Sequence, residues 1–236
     1  LLDHLDYRDA VAFTGSAATA DLLRTHDNVV RGGVRFTAEA DSLNAAILGP
    51  DAVPGTPEFD AFVKSVAVEM TAKAGQKCTA IRRIIVPSAL VDDVSAAIGA
   101  ALGKRVVGDP RAEGVTMGAL ASLDQLTDVK DAVRRMLDAG ASIAWGTLDD
   151  AAAVTPEGAR VVPDGAFMTP VLLNWSDPEN TTVHSVEAFG PVSSVIGYSD
   201  VADAIRLAAL GSGSLVATVC TNDPSVARQL VTGIAA

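Results

Sequence analysis

Short apolar runs alternate with amphipathic stretches from one end of the chain to the other. Strands are expected at residues 11–14, 34–37, 44–48, 81–86, 192–196 and 215–220, and near Ile143, Val161 and Val171. Helical patterns lie between them, at about 16–25, 59–70, 90–101, 126–137, 200–210 and 223–231. This alternation predicts an α/β fold with a largely parallel sheet.

The clearest helix has apolar residues spaced at the 3.6-residue period. They are Phe59, Phe62, Val63, Val66, Ala67 and Met70. Such a stripe is typical of a helix packed on a core. Pro57 suits its first turn, and Gly75 suits its C-terminal cap. Asp223 is placed to cap the last helix. The Pro- and Gly-containing stretch 149–170 is expected to be rich in loops.

Composition narrows the possible partners. The chain has 236 residues and a formal net charge of −11, and aromatic residues make up 4% of it. Nucleic acids and anionic membranes are bound by clustered Lys and Arg, so neither is expected as a partner. No apolar stretch is long enough to predict a transmembrane helix. Two well-separated cysteines suggest a reduced, cytoplasmic protein rather than a disulfide scaffold.

Cys78 lies in a Gly-containing break between a strong helix and a strand. Loops at such junctions expose reactive side chains on a rigid frame, and the neighbouring Lys77 is a cation that can lower a thiol pKa. A small buried hydrophobe is the alternative interpretation. Cys220 ends an apolar run, so it is expected to be structural.

Three other places carry candidate chemistry. Glu39 follows a predicted strand, at the sheet edge where ligands and catalytic groups collect, although a solvated acid explains it as well. Gly15 and Ser16 lie between a strand and a helix, which suits either a phosphate or ordinary N-capping by Ser16. Glu187 and Phe189 precede a Gly-Pro turn, where Phe189 is a ligand contact or a hydrophobic anchor.

His184 offers a further alternative, a thiol-hydrolase triad with Cys78, which requires spatial adjacency that spacing does not establish. No spacing typical of metal ligands is present.

Four motifs occur together in the order and approximate spacing of the aldehyde dehydrogenase superfamily. They are residues 13–16 (FTGS), Glu39, residues 75–78 (GQKC) and residues 187–192 (EAFGPV). Residues 39–44 (EADSLN), 73–83 (KAGQKCTAIRR) and 107–110 (VGDP) resemble the branch of bifunctional phenylacetate-degradation proteins called PaaZ-like. Most of the superfamily has Glu-Leu-Gly-Gly-Lys where this chain has EADSL, so details transfer less directly from the better-known members.

The resemblance implies roles for six residues. Cys78 would attack the aldehyde and carry a thioester, and Glu39 would activate the water that hydrolyses it. Gly15 and Ser16 would lie by the cofactor pyrophosphate. Glu187 would bond the nicotinamide ribose and Phe189 would pack by the nicotinamide ring. The implied cofactor is NADP or NAD, and the implied substrate is a CoA-linked semialdehyde, 3-oxo-5,6-dehydrosuberyl-CoA semialdehyde in the PaaZ-like branch.

The same resemblance implies a partial chain, because it covers the second half of the family's length without its far C-terminus. Residues 1–38 would be the end of a Rossmann-like NAD(P)-binding domain, and 39–236 most of an α/β catalytic domain. The oxyanion-hole Asn of the family would lie outside the chain, and the complete protein would be a homo-oligomer. The alternatives are a truncated, inactive binding or assembly module and an acyl-transferring thiol enzyme without redox chemistry.

Overall fold

The computed structural model describes residues 1–149, 151–155, 157–158, 160–161 and 164–235. The chain divides into two compact units, Leu1–Ser42 and Leu43–Ala236. The assignment of 1–38 to a cofactor domain and 39–236 to a catalytic domain stays a prediction.

The first unit is a β-α-β arrangement. Its elements are β1 (Ala10–Gly15), α1 (Ala17–Arg24), α2 (Asp27–Val30) and β2 (Arg35–Ala40). The two strands pair in parallel, with Thr14 opposite Glu39. β2 continues through Ala40, so Glu39 lies inside the strand, near its carboxyl end, rather than after it.

The second unit is built on a six-stranded sheet. Its strands are β3 (Ala45–Leu48), β4 (Arg83–Pro87), β5 (Ala141–Trp145), β8 (Val171–Trp175), β9 (Val192–Tyr198) and β10 (Ala217–Cys220). The spatial order is β10-β3-β4-β9-β8-β5. Every neighbouring pair is parallel except β5 and β8. The expected α/β fold with a mostly parallel sheet is therefore confirmed.

Among the residues that the structure describes, five α-helices cover both faces of this sheet. They are α3 (Pro57–Thr71), α4 (Val91–Leu102), α5 (Leu123–Asp138), α6 (Val201–Ala209) and α7 (Pro224–Ile234). Ile85 packs with α5 and α6 in one core cluster, and its neighbour Ile84 packs with α3 and α4 in another. Successive strand residues thus enter cores on opposite faces, which is why these strands are continuously apolar rather than alternating.

The predicted first turn of α3 is confirmed, but the predicted C-terminal cap is wrong. Pro57 occupies the first turn, whereas the helix ends at Thr71 and not at Gly75. Lys73 and Ala74 follow with φ of 53°, in the left-handed region, and Gly75 continues with φ of 70°. This reversal brings Gly75 against the Gly190 carbonyl oxygen, so closely that a Cβ on Gly75 would collide with it. Gly75 therefore serves a close backbone approach rather than a helix cap.

Other boundaries differ by small amounts. β4 begins at Arg83, two residues after the predicted start, and β10 begins at Ala217 rather than at Leu215. The predicted N-cap Asp223 accepts hydrogen bonds from the N–H groups of Ser225 and Val226. No helix in the described part of the chain combines the length and apolarity needed to cross a bilayer.

Within 149–170 a small hairpin forms from β6 (Ala153–Val154) and β7 (Arg160–Val161), which includes the strand expected near Val161. The rest of that loop prediction lies partly outside the described residues.

Candidate active site

Cys78 lies on the loop that connects α3 to β4, and its side chain is exposed. A buried structural cysteine was the alternative, and the exposure argues against it. The neighbouring Lys77 does not present an unpaired charge, because its ammonium binds the Glu69 carboxylate on α3 with Nζ–O distances of 2.7 and 2.9 Å. The ion pair instead fastens the loop to the helix that precedes it.

Asn44, immediately before β3, fixes the backbone on the other side of Cys78. Its Nδ2 donates to the carbonyl oxygens of Cys78 and Ala80, at 2.8 and 2.9 Å. Its Oδ1 accepts from the N–H groups of Leu215 and Val216, both at 3.0 Å. These two N–H groups therefore donate to a side chain instead of to a neighbouring strand, so β10 begins two residues after its predicted start. The sequence indicated no role for this buried amide.

Arg82 joins the Cys78 loop to the loop that carries Glu187. Its Nε donates to Glu187 Oε1 at 3.0 Å, and its Nη1 donates to the Gly190 carbonyl at 2.8 Å. Its Nη2 donates to the carbonyls of Gly75 at 2.8 Å and Lys77 at 3.3 Å. Burial lowers the pKa of the Arg82 guanidinium, and the Glu187 carboxylate opposes that shift.

Phe189 lies on the same loop, with its ring centroid 5.5 Å from the Arg82 guanidinium carbon, a cation–π distance. Its ring is partly exposed, and its carbonyl accepts a hydrogen bond from Gln125 on α5. Gln76, two residues before Cys78, accepts from the N–H of Ala121 just before the same helix. The start of α5 thus holds both loops.

Arg83 and His184 form a second buried polar group beside the first. Arg83 donates to the carbonyls of Leu43, Leu207 and Ala208, and burial lowers its pKa to about 10. Its Nη1 lies 3.0 Å from His184 Nδ1, while His184 Nε2 lies 2.8 Å from the Pro178 carbonyl.

Because a guanidinium donates only, His184 Nδ1 is the acceptor and Nε2 carries the proton. Both ring nitrogens of His184 are occupied, so it is a structural residue and not the base of a triad with Cys78.

These groups collect at the amino ends of the parallel strands. Asn44 precedes β3, Arg82 precedes β4, the loop of Glu187 and Phe189 precedes β9, and Leu215 precedes β10. The common location of sites in open α/β sheets is the opposite, carboxyl edge. Of the sequence-predicted residues in this unit, Cys78, Glu187 and Phe189 are therefore gathered at one edge.

In the first unit, Ser16 caps α1, accepting from the Thr19 N–H at 3.2 Å. The capping interpretation is therefore confirmed, and the phosphate interpretation stays a prediction. Asp41, just after β2, accepts from the Ala17 N–H at 3.1 Å, which places a carboxylate at the same helix terminus. Asp41 has φ of 45°, a left-handed conformation that Asp tolerates better than most residues. Glu39 is exposed on β2.

Cys220 lies in β10, half-buried against the core that includes α3 and α4. Burial raises the pKa of its thiol, which disfavours the reactive thiolate. Cys220 is structural, as predicted.

A sequence model of the aldehyde dehydrogenase family matches residues 1–236. A 3,4-dehydroadipyl-CoA semialdehyde dehydrogenase from Aromatoleum evansii is 45% identical over 237 residues, which cover 100% of this chain and 45% of that protein. Protein MaoC from Klebsiella aerogenes is 38% identical over 120 residues, covering 50% of this chain and 33% of that protein. The chain therefore spans less than half the length of these relatives.

Solved structures agree with this match. A mutant of aldehyde dehydrogenase C from Pseudomonas syringae, in complex with NAD⁺ and octanal, superposes with a TM-score of 0.80 at 25% identity. The alignment covers 96% of this chain and 43% of that one. Betaine aldehyde dehydrogenase from Staphylococcus aureus, in complex with NAD⁺, also gives a TM-score of 0.80 at 25% identity, over 96% of this chain and 42% of that one.

Proposed function

The chain belongs to the aldehyde dehydrogenase family, and from this premise we propose that the protein oxidises an aldehyde to a carboxylic acid through a thioester on Cys78, with NADP or NAD as the hydride acceptor. The observation that carries the proposal is the exposed Cys78 thiol on a loop whose backbone is fixed from both sides by Asn44 and Arg82. A nucleophile held on a rigid loop meets its substrate in a defined orientation.

Two groups of residues suit different parts of a nicotinamide dinucleotide. The partly exposed Phe189 ring and the Glu187 carboxylate both contact the Arg82 guanidinium and suit a nicotinamide riboside, since the ring offers a face and the carboxylate accepts from ribose hydroxyls. Gly15 and Ser16 lie at the start of α1, whose N–H groups suit a pyrophosphate. There the Ala17 N–H already bonds Asp41, so a pyrophosphate that used this donor would displace the Asp41 carboxylate.

The proposed reaction has two stages on Cys78. The thiolate attacks the aldehyde carbon, and the Cys78 backbone N–H stabilises the oxyanion that forms. The bound NAD(P) supplies the acceptor for the hydride that leaves this carbon, and the acyl group remains as a thioester. Glu39 removes a proton from a water molecule that attacks the thioester carbon. Cys78 is released as the leaving thiolate, and the product is the carboxylic acid.

The substrate class is supported by the relative from Aromatoleum evansii, which is a 3,4-dehydroadipyl-CoA semialdehyde dehydrogenase. We infer a semialdehyde attached to coenzyme A. The PaaZ-like resemblance favours the suberyl compound, and the relative's name favours the adipyl compound. Both join a terminal aldehyde to a CoA thioester, so comparing the two substrates with a simple aldehyde measures how much the CoA part contributes.

The test uses the complete natural polypeptide that carries this sequence. Cys78→Ala is expected to abolish aldehyde-dependent reduction of NADP⁺ or NAD⁺, and Cys220→Ala to retain it, because Cys220 packs in the sheet. Comparable loss in both variants, or activity that persists without Cys78, contradicts the proposal. A wild-type protein that binds neither nucleotide would favour the inactive binding module instead.

A further inference from the structure

Arg82 bonds to two functional loops, the Cys78 loop before β4 and the Glu187 loop before β9, through four hydrogen bonds. Two go to carbonyls just before Cys78, at Gly75 and Lys77, and two go to the other loop, at Glu187 and Gly190. Its side chain is 3% exposed, and that of Glu187 is 7% exposed. The proposed nucleophile and the proposed ribose ligand therefore depend on the position of one guanidinium.

The bonding pattern requires arginine specifically. A guanidinium presents five N–H donors in a planar fork, and Arg82 directs them to four different oxygens. The same plane lies near the Phe189 ring, which a fixed guanidinium orients by a cation–π contact. Lysine would keep a positive charge near Glu187, but its single ammonium cannot reach carbonyls on two loops together.

The carbonyl contacts also explain how the backbone reversal before Cys78 is held. Lys73, Ala74 and Gly75 are successive residues with positive φ, a conformation that is costly for the first two. Arg82 binds the carbonyls on either side of Gln76, at Gly75 and Lys77, and so fixes the end of this reversal. A shift of Glu187 would move Arg82 and, through it, the Cys78 backbone.

We propose that Arg82 is a positioning residue that sets the orientation of Glu187 for nicotinamide ribose and the backbone of the Cys78 loop at the same time. The proposal rests on the proposed function. Neighbouring Arg83 provides a matched control. It is also buried and donates to several carbonyls, but none of its partners Leu43, Leu207, Ala208 and His184 belongs to the Cys78 loop, and His184 lies three residues before Glu187 in the connection from β8 to β9.

The experiment compares Arg82→Lys, Arg83→Lys, Glu187→Gln and the double variant of Arg82 and Glu187 in the complete polypeptide, in a Cys220→Ala background. Arg82→Lys is expected to raise the KM for NADP⁺ about tenfold, the size of coupling seen between directly bonded groups. Arg83→Lys is expected to lower the melting temperature and leave that KM within about twofold. In the double variant the two KM effects should not multiply, because both act through one ion pair.

A second readout is the rate at which iodoacetamide alkylates Cys78 without nucleotide. Glu187 lies on a different loop from Cys78. The Glu187→Gln substitution is nevertheless expected to change the alkylation rate of Cys78 by about threefold, because Arg82 transmits a displacement of residue 187 to the Cys78 loop. An unchanged rate overturns the proposal, even if the Arg82 variant does not fold. Independent KM effects, or an equal effect of Arg83→Lys, also overturn it. Activity remaining after Cys78→Ala would instead show that the proposed function itself is wrong.

Discussion

Arg82 and Glu187 are 105 residues apart in sequence and form a buried ion pair with an Nε–Oε1 distance of 3.0 Å. Each charge compensates the other where water is largely excluded, so removing either leaves a buried charge without its main partner. The ion pair links the loop before β4 to the loop before β9. The organisation of the candidate site therefore follows from long-range contacts that meet at the amino edge of the sheet.

Asn44→Ala is expected to lower the free energy of unfolding by about 3 kcal/mol, because the buried Ala80 carbonyl, the part-buried Cys78 carbonyl and two N–H groups lose their partner. Urea denaturation measures the loss. Asn222→Ala, at an exposed position, is the matched control and should change stability by no more than about 0.5 kcal/mol. Equal effects of the two substitutions would show that Asn44 does not hold the Cys78 loop.

Gly211→Ala is expected to destabilise the protein by about 1–3 kcal/mol, the usual cost of overpacking. A Cβ on Gly211 would overlap the Arg83 guanidinium, which is buried and bonded to the carbonyls of Leu207 and Ala208. Gly103→Ala is the control, because a Cβ there meets only ordinary van der Waals contacts. Melting temperatures that fall equally in both variants would contradict the packing around Arg83.

Much of the fold could be predicted because it depends on local pattern. The apolar stripe of α3, the continuous apolar strands and the Asp223 cap are each set by residues a few positions apart. Cys78 could also be predicted from local pattern, since it stands in a Gly-containing break between a clearly predicted helix and a predicted strand. The error at Gly75 arose because its conformation serves a contact with Gly190, which is distant in the sequence.

The supporting residues could not be assigned in the same way. Asn44 bonds residues more than 170 positions away, and Arg82 bonds a residue 105 positions away. One signal was available: two adjacent arginines at the start of an otherwise apolar strand are costly to bury unless each has partners. The two arginines could therefore have indicated buried cations there, but not which groups they bind. The use of the amino edge also runs against the general rule for such sheets.

Acid is expected to destabilise the protein through His184. Burial, with the Arg83 charge as a smaller cause, lowers the pKa of His184 in the folded state. The unfolded chain therefore binds a proton more readily, so this contribution to stability is present above about pH 6.5 and is lost as the pH falls below it. Asn at this position offers an acceptor to Arg83 without titrating, so His184→Asn should remove this part of the pH dependence.

The measurement is the melting temperature of wild type and His184→Asn between about pH 5 and pH 8. The pKa shift predicts that the difference between the two curves changes below about pH 6.5, in favour of the variant, because only the wild-type residue titrates. Parallel curves over the whole range would contradict the shift.

Asp41→Asn is expected to lower the KM for NADP⁺ by about two- to fivefold. The change removes a negative charge from the terminus of α1, where Gly15 and Ser16 are proposed to meet the pyrophosphate, while asparagine still accepts from the Ala17 N–H and tolerates positive φ. The gain should shrink at high salt, which screens exposed charges. Asp27→Asn, at the start of α2, is the control. An unchanged KM in the Asp41 variant would argue against a pyrophosphate at α1.

The most direct test of the central claim is mass spectrometry of the Cys78 peptide after the Glu39→Gln variant of the complete polypeptide reacts with a CoA-linked semialdehyde and NADP⁺. Loss of a general base slows turnover by about 10²–10⁴-fold, so the thioester should accumulate. We predict an acyl mass on Cys78 that requires NADP⁺ and disappears when Cys78→Ala is added. Aldehyde oxidation by the Glu39→Gln variant with no acyl mass on Cys78, or with the acyl group on another residue, would contradict the account.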